Sequence, residues 1–490
     1  MILRALRPFA GARRPIRCKP IPTFRSRPEF HTLVSAAQVQ FGQPIHETHP
    51  HLIAPGDLTP GIPALEYHYR RAALAERLPE NSVAILAANE LKYKSGAVFY
   101  EYHQDPNFFY LTGFNEPDAL AIIEKGSSPV EYTFHVHLRA KDPKAELWDG
   151  ARSGLQAAQD IFNADEARDI ASSTTTSTLR DLIASAKEVY TDIGTDVGRR
   201  SSVAKLVQGK GTGVEGFQSL LASSTVRPLR PLMNDLRITK SAAELSNLRR
   251  AGAISGEVLT AAMSRPQHSE AQLWADLSYG YRSAGLDGEA YVPVVAGGKH
   301  GLSIHYTRND AMLREGETVL VDAGGAYGGY IADITRVFPV SDRFSPAQRE
   351  LYAMVLSVQK KVIALCHEGS GTLLDGLHST TESLLTSGLK DLGFDLSSSG
   401  LDVLFPHHVG HFIGLDVHDA PGYPRTGKLK EGMCVTVEPG IYVPDDERWP
   451  KQFRGLAVRV EDSIVVGREA EEVLTGTAVK EVDEIEGLRA

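Results

Sequence analysis

Two acids occupy matched places in a phrase that the chain writes twice. Residues 315–324 read EGETVLVDAG and residues 431–440 read EGMCVTVEPG, in register at an offset of 116 residues. Each copy carries an alternating apolar run onto an acid, Asp322 in the first and Glu438 in the second. Alternation of this kind marks a half-buried strand, so each acid shares a face with the residues two and four places earlier. A second acid follows each phrase: Asp333 within IADIT and Glu461 within VRVED. Between the phrases lies a histidine run, HHVGHFIGLDVH, from His407 to His418. Four carboxylates do not share an apolar interior without countercharge, because burial and mutual repulsion would neutralise them or split the fold. Divalent cations supply that charge. Asp322, Asp333, His411, Glu438 and Glu461 together form an oxygen-dominated donor set with one imidazole and no thiolate, which favours Mn²⁺, Co²⁺, Fe²⁺ or Zn²⁺. Five side chains, several able to bridge, suit two ions about 3.5–4 Å apart that clamp and deprotonate a shared water.

Such a centre needs two equivalent supports, and the chain repeats them. Helix pairs are predicted at about 241–264 and 269–284 before the first hairpin, and at about 346–368 and 372–392 before the second. Ser241 and Glu244 make a capping box for the first helix, with Leu245, Leu248 and Ala251 on one face. Upstream, helix and strand alternate. A helix is predicted near 66–78 and strands at Ser82–Ala87, Phe108–Thr112 and Ala119–Ile123. Helical stretches follow around 154–170 and 178–187, and then a strand at Glu188–Thr191. Two prolines at 227–232 mark a boundary. The fold class is therefore α/β (α+β): an N-terminal α/β domain over 43–232, then a domain over 236–470 made of two duplicated helix–hairpin halves. Residues 471–490 read as an acidic, solvated tail. His46, His49 and His51 lie among prolines in an irregular lead-in and read as loop or capping groups rather than a metal tract. Gly209–Gly213 is not at a strand-to-helix junction and reads as a flexible turn.

Bulk properties narrow the setting. At 490 residues, 42% hydrophobic and 23% charged, the composition is that of a multi-domain globular chain. Cys18, Cys366 and Cys434 have no close spacing, which excludes a disulfide framework and a thiolate zinc site and points to a reduced compartment. The net charge of −9 divides unevenly: residues 1–30 contribute +7 and the remainder −16. The Arg-rich, acid-poor start, residues 1–35, reads as a mitochondrial transit peptide. No apolar run reaches the roughly 20 residues of a membrane span. The acidic remainder argues against nucleic acid as a partner.

The combined pattern of Asp-x₁₀-Asp, His-x₃-His with a later His, Glu-Pro-Gly and Arg-x-Glu-Asp resembles the pita-bread metallopeptidases, and in particular the aminopeptidase P group. SIHYT at 303–307 and GHFIGLDVHD at 410–419 are similar to that group rather than to methionine aminopeptidases. GQPIHETHPH at 42–51 and QDPNFFYLTGFNEP at 104–117 look like its mitochondrial Xaa-Pro aminopeptidase 3 branch, whose fungal member is the intermediate cleaving peptidase. The resemblance implies a creatinase-like N-terminal domain before a pita-bread catalytic domain. It implies two divalent ions, usually manganese, with Asp333 and Glu461 bridging, Asp322 completing one shell, and His411 with Glu438 the other. His305, His407 and His418 match substrate-pocket histidines, Glu438 a proton shuttle, and Arg459 a residue that orients an acid through a bidentate fork. The implied activity is removal of a single N-terminal residue from peptides or imported mitochondrial proteins, with self-association. Two alternatives stay open: a general Xaa-Pro aminopeptidase or prolidase-like dipeptidase on short peptides, and a non-catalytic pita-bread binding module. Such modules have typically lost ligands, whereas all five donors are present here.

Overall fold

The computed structural model describes residues 41–128, 131–194 and 216–489, so the basic N-terminal arm and the Gly209–Gly213 turn lie outside the described residues. The N-terminal part is built on a six-stranded mixed sheet. Its spatial order is Thr225–Arg227, Glu188–Thr191, Ser82–Ala87, Leu120–Lys125, Tyr132–Leu138 and Glu166–Asp169. Both pairings of the Leu120–Lys125 strand are antiparallel, and the remaining three are parallel. Alternation within Ser82–Ala87 feeds two cores. Ala84 and Leu86 face the helices Ala64–Arg77 and Pro106–Thr112, while Val83 and Ile85 face Ser173–Ser185 and Phe217–Leu221.

Three local readings are corrected. Phe108–Thr112 is not a strand but most of the helix Pro106–Thr112. The Asp105 carboxylate accepts from Phe108 N at 2.8 Å, Pro106 sits in the first turn, and Gly113 closes the helix at φ 65°. Because all five residues are buried, their apolar run carries no period, and the caps decide. The helix predicted over 154–170 ends at Asp160, and Glu166–Asp169 instead pairs in parallel with His135–Leu138. At 227–232, Pro231 starts a helix, Arg230–Arg237, rather than interrupting structure, since a first-turn proline loses no hydrogen bond.

The second part is the duplicated one. Helices Ala242–Met263 and Glu270–Ser283 precede the first hairpin, and Pro346–Ile363 and Leu374–Asp391 precede the second. The predicted Ser241–Glu244 capping box forms, and Ser345 with Gln348 repeats it at the start of the second pair. Thr318–Asp322 lies antiparallel between Val294–Gly297 and Thr335–Pro339. Its counterpart Cys434–Val437 pairs with Asp462–Val465, and Gly440–Tyr442 pairs with Ala457–Arg459. The two halves meet at their inner strands: Glu461 N donates to Thr335 O at 3.1 Å. No helix among the described residues is long and apolar enough to cross a membrane.

The C-terminal residues are docked, not a free tail. Glu472–Val473 adds a strand beside Ile464–Val465, and the helix Val482–Gly487 buries Ile485 completely. Two of this segment's acids pair with the second-half helix Pro346–Ile363, Glu481 with Lys360 at 2.6 Å and the largely buried Glu486 with Arg349 at 3.0 Å. Ile485→Ala should therefore cost about 2–4 kcal/mol in chemical denaturation, as for other large-to-small core changes; a solvated tail would give no change.

Candidate active site

The fold brings the five predicted donors to one buried place. Asp322 ends the Thr318–Asp322 strand, and Asp333 sits two residues before Thr335 on the strand that pairs with it. Glu438 directly follows Cys434–Val437, and Glu461 lies at the joint between Ala457–Arg459 and Asp462–Val465. His411 is fastened to the Cys434–Val437 strand: its N donates to Thr436 Oγ1 at 3.1 Å, and its carbonyl accepts from Thr436 N at 2.9 Å. That approach requires glycine at 410, where a Cβ would lie 2.0 Å from Thr436 O.

His411 Nε2 stands 3.5 Å from Asp333 Oδ2 and 3.6 Å from Glu438 Oε1. Its Nδ1 donates to Phe412 O at 3.1 Å, which turns Nε2 toward the carboxylates, where it would ligate once it gives up its proton. Donor atoms of Asp333, His411 and Glu461 all lie within 4.8 Å of one another. Glu461 Oε2 accepts from Thr335 Oγ1 at 2.6 Å, whereas its Oε1 is buried with no partner among the described residues. A buried, unpartnered oxygen on a carboxylate grouped with an imidazole and further acids is the opening a cation fills.

The electrostatics agree. Burial pushes Asp322 up to about 6 and Glu438 up to about 7, with neighbouring acids adding to the shift. Burial together with Asp333, Glu438 and Asp322 holds Glu461 well above the usual carboxylate range. Burial alone would lower His411, but Asp333 and Glu438 beside it raise it to about 9. Burial would raise Asp333, yet His411 holds it below its ordinary value. Four acids thus face Arg459 and His411, leaving negative charge that divalent ions match.

Arg459 is buried and does not fork onto one acid as predicted. It splits three ways: Nε to Thr335 Oγ1 at 2.9 Å, one terminal nitrogen to Asp322 Oδ2 at 2.6 Å, and the other to the Tyr442 hydroxyl at 2.7 Å. That phenol in turn donates to His407 Nε2 at 3.0 Å, and His407 Nδ1 donates to His408 O at 2.9 Å. The chain of donors leaves one tautomer for His407. Burial pushes it down to about 4, with the Arg459 charge adding to the fall, so it is neutral near pH 7. His418 packs edge-on against His411 at 4.4 Å between ring centres. His305, His407, His418, Tyr423 and Arg425 line an open groove of about 550 Å³ that reaches His411 and Glu438. His408 also borders the groove, with Nδ1 donating to Gly410 O at 2.7 Å and the ring stacked on His378.

Several residues here were not singled out from the sequence. The Tyr291 hydroxyl lies 2.8 Å from Asp322 Oδ1 and 2.5 Å from Asp333 Oδ1, one proton serving two carboxylates. Nothing in its local sequence marks it. Thr335 and Ser463 were legible in principle, since each stands two residues after a predicted acid and so on the same strand face. Tyr423 and Arg425 belong to an irregular loop without a period to read.

Residues 246–468 match the family model described as Metallopeptidase family M24, and residues 67–190 match Aminopeptidase P, N-terminal domain. Intermediate cleaving peptidase 55 of Saccharomyces cerevisiae is 42% identical, over 92% of this chain and 89% of its own. The chain belongs to metallopeptidase family M24. A crystal structure of that yeast protein has a TM-score of 0.81 at 40% identity, covering 89% of this chain and 99% of the other. Xaa-Pro aminopeptidase 3 of Homo sapiens is 35% identical, covering 91% and 90% of the two chains. Intermediate cleaving peptidase 55, mitochondrial, of Arabidopsis thaliana is 35% identical, covering 91% and 87%. This M24 protein is a metallo-aminopeptidase, with an aminopeptidase P N-terminal domain before a pita-bread catalytic domain, and its family works with divalent metal ions.

Removing the Tyr291 hydroxyl frees the two aspartates it holds. Tyr291→Phe should weaken divalent-metal binding about 10–100-fold in calorimetric titration, the usual scale for a partner of a ligating group. The acid shifts set a pH dependence. With native values raised, metal-free protein binds protons that the unfolded chain releases, so Asp322 and Glu438 remove stability as pH rises from the ordinary carboxylate range to about 7. His411 acts in the same direction over a higher range: its contribution is complete below its ordinary value and fades as pH rises toward about 9. Ionised carboxylates also bind cations better. Adding divalent metal to metal-free protein should therefore raise Tm more at pH 8 than at pH 5.5, and equal increments would contradict the assignment.

Proposed function

We propose that this chain removes a single N-terminal residue from proteins imported into mitochondria, after their presequence has been cut. The observation that carries the reading is the unpartnered oxygen of Glu461 among donors from both halves, two of which, His411 and Glu438, also line an open groove of about 550 Å³. The similarity to intermediate cleaving peptidase 55 supports the substrate class. The basic start and the mitochondrial relative support the location. The proposed division is a transit segment 1–35, an N-terminal domain 43–232 and a catalytic domain 236–470 onto which residues 471–489 fold.

In this reading Asp322, Asp333, His411, Glu438 and Glu461 would hold two divalent ions, Mn²⁺ in the cell. Bound ions supply Lewis acidity and ionise water at neutral pH. The chain's own residues do the rest. Glu438 stands between the donor cluster and the groove, 3.7 Å from His407, and carries a proton from the attacking water toward the leaving amine. Neutral His407 and the groove imidazoles His305 and His418 hold the scissile amide by hydrogen bonds. Arg459 keeps Asp322 and Tyr442 in place. The substrate's free α-amine would sit beside the metal site, which limits cleavage to the first residue. Leu147 and Trp148, 82% and 80% exposed on Pro143–Asp149, support self-association as part of this reading.

The similarity to Xaa-Pro aminopeptidase 3 favours a second reading, a general enzyme for X-Pro peptides. N-terminal profiling of mitochondrial proteins in cells lacking the protein separates the two. The first reading expects N-termini longer by one residue, restored by the wild type and not by Glu438→Ala. Purified Glu438→Ala should lose about 10²–10⁴-fold in kcat on a peptide with that N-terminus, the scale of a lost proton-transfer group. Unchanged N-termini with rapid X-Pro cleavage would select the second reading.

A further inference from the structure

The turn that carries His418 is held by charges from outside the catalytic hairpins. Arg237, at the end of the Arg230–Arg237 helix, donates to Asp419 Oδ1 and, at 3.2 Å, to Asp416 Oδ2. Lys240 Nζ donates to the other Asp419 oxygen at 3.0 Å. The side chains of Arg237, Lys240 and Asp419 are only 3%, 1% and 1% exposed. Burying three charges costs enough desolvation that such a cluster is a poor source of stability. It is a good source of fixed geometry. Asp419 directly follows His418, its N donates to Phe412 O at 2.8 Å, and Gly414 presses so closely that a Cβ there would lie 2.5 Å from the Asp419 carboxylate. The turn has little freedom once that carboxylate is gripped.

Arg237 is itself anchored to the N-terminal part. Its remaining terminal nitrogen donates to Asn107 Oδ1 at 2.6 Å, and the Tyr110 hydroxyl donates to Leu236 O at 3.1 Å; both partners lie on Pro106–Thr112. On the other side Asn234 Nδ2 donates to Pro421 O at 3.0 Å, so the same helix grips the turn before and after Ala420. We infer that Arg237 is a positioning residue for the groove imidazole His418, through Asp416 and Asp419, and that Asn107 makes the N-terminal domain part of this support. The inference rests on the aminopeptidase reading and concerns a residue that touches neither donor cluster nor groove.

A double-mutant cycle tests it on full-length, metal-loaded protein. Arg237→Gln should lower kcat about 10–100-fold, the scale of a small misplacement at a reacting group, with KM and bound metal within about twofold of wild type. In a His418→Ala background the same change should cost nothing further, because the group it positions is gone. Equal losses in both backgrounds would mean a merely structural role and overturn the inference, as would full kcat in folded Arg237→Gln. Asn107→Ala, which removes a single hydrogen bond, runs through the same cycle if Arg237→Gln does not fold, with a smaller loss and the same lack of additivity expected. A second readout is independent of turnover. The His418 ring resonance, identified by its absence in His418→Ala, should shift in Arg237→Gln and in Asn107→Ala; an unmoved resonance overturns the inference even if the wild type cleaves no peptide. Wild-type inactivity with a shifted resonance would sink the aminopeptidase reading alone.

Discussion

The catalytic fold depends on a reciprocal clasp between its halves. Thr335, two residues after Asp333, gives its hydroxyl proton to Glu461 of the second half at 2.6 Å. Ser463, two residues after Glu461, grips the backbone of Asp333 in the first half, donating to its carbonyl at 2.9 Å and accepting from its N at 3.1 Å. Each half thus orients the acid that the other supplies. A duplicated fold gains from this arrangement, because a donor set drawn from two hairpins has the right spacing only if the hairpins are locked in register. Behind the clasp, buried Arg336 donates to the carbonyls of Thr335 and Glu461 and to Asp462 Oδ1, at 3.0, 2.5 and 2.7 Å, and ties the same strands from the far side. Acids that would repel one another are held together by hydroxyls and guanidinium groups that leave one Glu461 oxygen free.

Polar groups around the acids form chains, not isolated pairs. Arg459 reaches Asp322, Thr335 and Tyr442, and Tyr442 reaches His407. A change at Asp322 is therefore felt at the groove residue His407 through three hydrogen bonds. Tyr291 ties Asp322 to Asp333 within the first half in the same way. Fixed dipoles and charges of this kind need no rearrangement when charge develops during a reaction.

The sequence disclosed most of this where a repeat or a period existed. The in-register phrase and its strand alternation pointed to Asp322 and Glu438, their place after each copy implicated Asp333 and Glu461, and the Ser241 capping box opened its helix as expected. Reading failed where structure is set by contacts distant along the chain. Tyr291 reaches Asp333 across 42 residues and Arg459 reaches Asp322 across 137, and neither pairing leaves a local trace. The Phe108–Thr112 error has another cause. A fully buried segment is apolar on every side, so the deciding information lay in Asp105 and Gly113 outside it. The acidic C-terminal residues misled because composition reports the exposed face and hides the buried Ile485.

That docked segment has a consequence for the order of folding. Lys480 Nζ contacts Asp462 Oδ2 at 2.7 Å, completing the countercharge of the residue that follows Glu461. The innermost strands of the second half would carry that aspartate incompletely neutralised until Lys480 had seated against them. Maturation of the reactive centre is thereby coupled to the docking of a segment that touches no substrate, and a chain cut before Lys480 would be a peptidase in outline only.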